Sequence, residues 1–265
     1  MKHKRLSFLI TMCSAMVVFC ASGCKHDNPP VGTVTIKYTD EYYKTLSVGI
    51  KGEKLKTELR ELNTAKKVHT IPYNTNSGAT YMGKVENTYA LTDVDPNDPT
   101  KIIGFYDNVS YPAEWDGGKT WNREHVWPDS RGGKLVENDV LMTRPCKKSI
   151  NSARNNRAYG TSSLTFDPGQ YGYYNYRGIA ARIIFYCALI EPKLTISDNV
   201  FNETNNMAKL SLLLQWNKDY PPSESETAAK ELKVEQNRNK VAQELQGNRN
   251  PFVDHPEFVD MIWGN

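Results

Sequence analysis

Apolar positions along the chain recur with different periods in different places. Leu55, Leu59 and Leu62 stand three and four residues apart, which predicts an amphipathic helix over 52–67. From Ile71 to Tyr111 short apolar groups alternate with Asn, Gly, Asp and Pro. Tyr89-Ala90-Leu91 and Ile102 to Tyr106 read as strands, joined by a turn from Asp93 to Pro99. Periodicity then fades over 111–175, a stretch rich in Gly, Asn, Trp and Arg. So long a loop-heavy segment inside a compact domain is more often functional than idle. Residues 178–190 are almost uniformly apolar and suit a core helix, too short to span a membrane. Its one charge, Arg182, is expected to be buried and paired. A polar helix over 225–246 ends at Gly247, and the tail turns back through Pro251 and Pro256 to Met261-Ile262-Trp263. No repeat interrupts this order. The reading is one mixed α+β domain over 36–265.

The start of the chain has a different character. Lys2, Lys4 and Arg5 precede an apolar stretch from Leu6 to Cys20, and Ala21-Ser22-Gly23-Cys24 follows. That order predicts a secretory signal over 1–23 rather than a spanning helix. Its end resembles a bacterial lipobox, in which a peptidase cuts before a Cys that becomes acylated. Cys24 is therefore the expected lipidation site and 24–35 a tether. The mature protein is expected in the bacterial cell envelope, lipid-anchored to a membrane and either periplasmic or surface-exposed.

Composition narrows the classes further. With 39% hydrophobic and 24% charged residues the chain is no disordered tail, and 17 Gly with 14 Pro exclude a collagen-like architecture. Five Cys in 265 residues are too few for a disulfide-built scaffold. Beyond the signal and Cys24 only Cys146 and Cys187 remain. An exported domain permits them to pair, while the apolar run around Cys187 equally suits a buried free thiol. The formal charge of +3 vanishes once Lys2, Lys4 and Arg5 are set aside. Affinity for a polyanion must therefore come from a local patch. Residues 119–157 supply one, with nine basic residues against four acidic ones. That is the electrostatic footprint of a polyphosphate substrate.

The densest chemistry lies in the same window. Trp121-Asn122-Arg123-Glu124-His125-Val126-Trp127-Pro128 sets a base suited to neutral pH beside a hard oxygen donor. Adjacent residues of a strand face opposite ways, so Glu124 and His125 can share a site only if the strand ends or bulges there. Asn151 and Arg154 stand at i and i+3 and would share a helix face, offering an oxygen ligand and a phosphate-neutralising cation. Glu137 and Asp139 suit orienting roles more than metal ligation. Trp115, Trp121 and Trp127 suit either base stacking or core packing.

These motifs, with Arg144-Pro145, Asn151 to Asn156, Arg177 to Arg182 and Gln246 to Glu257, resemble the endonuclease I family of secreted bacterial nucleases, which are His-Me finger (ββα-metal) enzymes. The resemblance runs from about Tyr42 to Trp263. It implies an α+β domain built around a ββα-metal core with additional helices. The implied activity is a metal-dependent, largely sequence-nonspecific endonuclease acting on DNA and/or RNA as a monomer and leaving 5′ phosphates. His125 would be the general base, Glu124 and Asn151 would bind one Mg²⁺ (Mn²⁺ or Ca²⁺ as substitutes), and Arg154 would contact phosphate. Arg123, Arg131 and Arg157 are further candidates for substrate binding. Where the family has Asp-Leu-His, this chain reads Asp139-Val140-Leu141. That replacement motivates the alternative of a nucleic-acid-binding envelope lipoprotein without catalysis.

Overall fold

A computed structural model describes residues 38–74, 83–199 and 206–264. The expected signal peptide, lipidation site Cys24 and tether lie outside the described residues.

Helix α1 (Gly52–Lys66) forms where the leucine spacing predicts, and it buries Leu55, Leu59 and Leu62. The Tyr89-Ala90-Leu91 triplet is not a strand. It lies in the short helix α2 (Tyr89–Thr92), which continues a 3₁₀ turn over Val85–Thr88. Val85 and Tyr89, four residues apart, are both fully buried. The Thr88 and Thr92 hydroxyls donate back to the carbonyls of Val85 and Thr88. Burial at helical spacing thus overrides a locally strand-prone triplet.

The expected turn is tighter than its Asp and Pro content suggests. Strand β1 (Val94–Asp95) pairs antiparallel with β2 (Asp98–Ile103), leaving only Pro96 and Asn97 between them. Strand β2 pairs in turn with β3 (Ser110–Pro112), Ile102 facing Tyr111. The second predicted strand therefore begins earlier than expected and stops at Ile103, so Phe105 and Tyr106 fall in the β2–β3 turn. Tyr106 and Asn108 both take positive φ there.

The loop-heavy window holds a second sheet. Strand β4 (Trp121–His125) pairs antiparallel with β5 (Thr143–Lys147), His125 opposite Thr143, and α3 (Lys148–Arg154) follows at once. This strand, strand, helix unit packs α3 against both strands. Helix α4 (Asn175–Ile190) is buried on every side, as its uniform apolarity predicts. Arg182 within it donates to both carboxylate oxygens of Glu235 at 2.7 Å, the pairing that a wholly buried cation requires.

Helices α5 (Leu210–Asp219) and α6 (Lys230–Gln246) complete the shell, followed by α7 (Pro251–Asp254) and α8 (Glu257–Trp263). Helix α6 starts later than the polar pattern suggests. It ends at Gly247 (φ 97°), where a Cβ would lie 2.1 Å from the Lys66 carbonyl oxygen. Cys146 and Cys187 are both buried and free. Among the described residues no helix is long and apolar enough to cross a membrane. The molecule is α+β, with helices and small antiparallel sheets around one core.

Candidate active site

Trp121 anchors the start of β4, its buried indole N–H donating 2.9 Å to the Pro112 carbonyl. The strand ends at His125. Beyond it the carbonyls of His125 and Val126 leave the ladder, and Arg154 takes both at 2.7 Å with its two terminal nitrogens. Ending the strand there resolves the two-faced problem. Glu124 and His125 line one cleft of about 300 Å³, which Asn151 and Asn155 on the α3 side also border.

Glu124 is 1% exposed. Its Oε1 accepts from the Tyr106 hydroxyl at 2.6 Å and lies 3.1 Å from an Arg154 nitrogen. Both partners engage the same oxygen, so Oε2 is the one left to the cleft. Burial raises the Glu124 pKa, with the Arg154 charge and the Tyr106 hydrogen bond pulling it down. Asn151 donates through Nδ2 to Asn122 Oδ1 at 2.7 Å and to the Arg123 carbonyl at 3.3 Å. With both amide hydrogens engaged, its Oδ1 is free to act as an oxygen ligand.

His125 Nε2 lies 3.3 Å from Glu137 Oε2, and the Tyr73 ring packs 4.3 Å from the imidazole. Burial lowers the imidazole pKa, with Glu137 pulling the other way, and the net shift favours the neutral ring. With Nε2 donating to Glu137, the basic lone pair sits on Nδ1. Glu137 thus orients the histidine, within the role its sequence position suits.

The arginines are less available than the basic window suggests. Arg154 is 1% exposed, and its two terminal nitrogens face Glu124 and two carbonyls, while its Nε is buried without a hydrogen-bond partner among the described residues. Placed so, it braces the carboxylate and the strand end while also lining the cleft. Arg123 lies 3.7 Å over the Tyr73 ring and pairs with Glu86 at 3.2 Å. Arg131 donates to the carbonyls of Asn156 and Asn206 at 2.9 Å. Arg157 holds the carbonyls of Ala153 and Thr165. Carbonyl partners use up donors without cancelling charge, so Arg131 and Arg157 keep the cleft's surroundings positive. Trp121 and Trp127 are buried core residues, and Trp115 packs 4.8 Å from Trp121.

Leu141 is buried in the core, and Asp139 accepts from Lys67, Gln246, Tyr186 and the Leu141 N–H. Tyr106 and Tyr73 escaped the sequence reading, because both come from outside the window that carries the motifs. Among the described residues no three His, Cys, Asp or Glu side chains gather as a metal cage. A buried carboxylate oxygen with an amide oxygen nevertheless suits Mg²⁺, which takes one or two carboxylates and keeps several waters.

Residues 51–257 match the family described as Endonuclease I. Two extracellular ribonucleases, from Bacillus subtilis (strain 168) and Bacillus amyloliquefaciens, are each 32% identical to this chain over 248 residues. The alignments cover 85% of this chain and 79% and 78% of those proteins. With that match laid over a strand, strand, helix unit whose cleft joins a histidine to two oxygen donors, the chain belongs to the Endonuclease I family and is a nuclease that hydrolyses phosphodiester bonds.

Proposed function

We propose that this nuclease is a divalent-metal-dependent endonuclease of little sequence preference, using Mg²⁺, with Mn²⁺ or Ca²⁺ as substitutes. The observation that carries the reading is the Glu137-held imidazole beside the free oxygens of Glu124 and Asn151 in one cleft. His125 Nδ1 takes a proton from the water that attacks phosphorus. The P–O3′ bond breaks and the departing O3′ takes a proton from a water, leaving a 5′ phosphate on one product and a 3′ hydroxyl on the other. Glu124 and Asn151 would hold the divalent cation, which would supply positive charge against the developing negative charge of the reaction. Arg154 acts from behind by fixing Glu124. Arg131, Arg157 and, more weakly, Arg123 draw the polyanion towards the cleft through their charge.

Both relatives are named extracellular ribonucleases, which supports export and makes RNA the favoured polymer, with DNA as a second substrate. The enzyme works as a monomer, lipid-anchored through Cys24 in the cell envelope. Digests of RNA and of supercoiled plasmid, each with Mg²⁺, with EDTA and with His125→Ala, test the reading. Cleavage is expected to need metal, to vanish in the variant and to leave 5′ phosphates. Cleavage that persists in EDTA, or is undiminished in His125→Ala, refutes it. Salt-sensitive binding without cleavage would instead support a lipoprotein that only binds nucleic acid.

A further inference from the structure

Tyr106 reaches Glu124 from the other sheet. The β2–β3 turn that carries it is closed by Gly104 N–H donating to the Val109 carbonyl at 2.8 Å and by Asn108 N–H donating to the Gly104 carbonyl at 3.1 Å. Phe105 N–H, at 2.8 Å from the Pro145 carbonyl, fastens the turn to β5. Within it Tyr106 has φ 83°, a region unfavourable for a residue with a bulky side chain. The ring is wholly buried, packed 4.3 Å from Phe105 and 4.9 Å from Phe166. Such backbone strain persists only where its surroundings over-determine it, and it gathers at functional sites.

Packing alone would be served as well by Phe. The hydroxyl instead sits in a chain: it donates to Glu124 Oε1 at 2.6 Å and lies 2.5 Å from the Tyr159 hydroxyl. Since Tyr106 donates to the carboxylate, Tyr159 donates to Tyr106. Arg154 engages that same Oε1, and its guanidinium lies 5.0 Å from the Tyr159 ring. Two donors on one oxygen fix the plane of the carboxylate and leave Oε2 to the cleft.

We propose that Tyr106 is a positioning residue for the metal site, its hydroxyl locking Glu124 so that Oε2 is presented to a divalent cation, with Tyr159 as its outer support. The inference rests on Glu124 serving as a metal ligand, as proposed above.

The test is calorimetric titration of the whole mature protein with MnCl₂, alongside thermal denaturation of the metal-free form and kcat and KM as metal is raised. Tyr106→Phe, Tyr159→Phe, the double variant and Glu124→Gln are compared with the parent. Losing an outer partner of a metal ligand typically weakens metal binding about 10- to 100-fold, and Tyr106→Phe is expected within that range. Raising Mn²⁺ should restore most of its kcat. Tyr159→Phe should weaken binding less. The double variant leaves no stranded hydroxyl, so it keeps the test valid if Tyr106→Phe folds poorly, and it should match the single variant in affinity. A lowered melting temperature with unchanged Mn²⁺ affinity in both Tyr106 variants would overturn the proposal. If Glu124→Gln binds Mn²⁺ as the parent does, the metal reading itself fails, and this inference fails with it.

Discussion

Arg154→Met separates two roles for the buried guanidinium. The substitution keeps most of the apolar stem but removes the cation from Glu124, and both residues are 1% exposed. Breaking a buried ion pair by removing one partner costs about 3–5 kcal/mol, because the other charge stays buried without compensation. The carbonyls of His125 and Val126 also lose donors at 2.7 Å. Val126 is fully buried, so the loss of its donor pushes the cost towards the upper end of that range. The expected destabilisation is therefore about 3–5 kcal/mol, against total stabilities of about 5–15 kcal/mol for folded domains. At about 2–4 °C per kcal/mol for a domain of this size, the melting temperature should fall by roughly 6–20 °C. Urea and thermal denaturation followed by circular dichroism measure it. Arg131→Met, which loses two carbonyl contacts but no buried partner charge, should cost about 1–2 kcal/mol. Adding Glu124→Gln to Arg154→Met removes the stranded charge, and the double-mutant cycle should show a coupling of about 1–3 kcal/mol. A loss below about 1 kcal/mol, together with a large rise in KM, would place Arg154 on the substrate phosphate and refute the bracing role.

Three other outcomes follow from the same contacts. Burial raises the Asp139 pKa, but Lys67, Gln246 and the Leu141 N–H outweigh it and hold the carboxyl below its ordinary value. Its stabilisation is thus complete above the unfolded value near ~3.9 and lost as pH falls through the folded value, so Asp139→Asn should flatten the acid limb of a melting-temperature profile. An acid limb of unchanged slope in the variant would count against it. Glu137→Gln should fold normally yet lose roughly tenfold in kcat, less than the roughly 10²–10⁴ contributed by a general base, measured by single-turnover cleavage. Gly133→Ala would place a Cβ 1.8 Å from the Trp127 carbonyl oxygen. Overpacking of this kind costs about 1–3 kcal/mol, visible as a lowered urea midpoint.

How much of this could be read from the residues depended on how far apart the partners lie. Leu55, Leu59 and Leu62 specify α1 locally, and the uniform apolarity of 178–190 specifies α4. The Glu124-His125 pair with Asn151 announces the cleft because all three fall within one motif-bearing window. Tyr89 misled because its burial depends on Val85 before it and on Trp121, whose ring lies 5.7 Å away. Tyr106 carried no signal, since its meaning arises only when the β2–β3 turn docks on β5. For the arginines the difference lies elsewhere. Sequence counts their charges, whereas the fold decides whether the donors face solvent, a buried carboxylate or a neighbouring carbonyl.

Arg238 on α6 gives the architecture a temporal consequence. It donates to Asp93, 145 residues earlier, and to the carbonyl of Thr143, 95 residues earlier, the residue opposite His125 in the β4–β5 ladder. A chain still emerging from the ribosome, or broken before α6, lacks this clamp, and among the described residues Asp93 keeps only Arg144 and Thr92 as side-chain partners. Such a fragment is expected to be silent in a cleavage assay, whatever its share of the motif residues. Cleavage is then expected only once α6 has been made and docked, which couples the active site to a late step of synthesis.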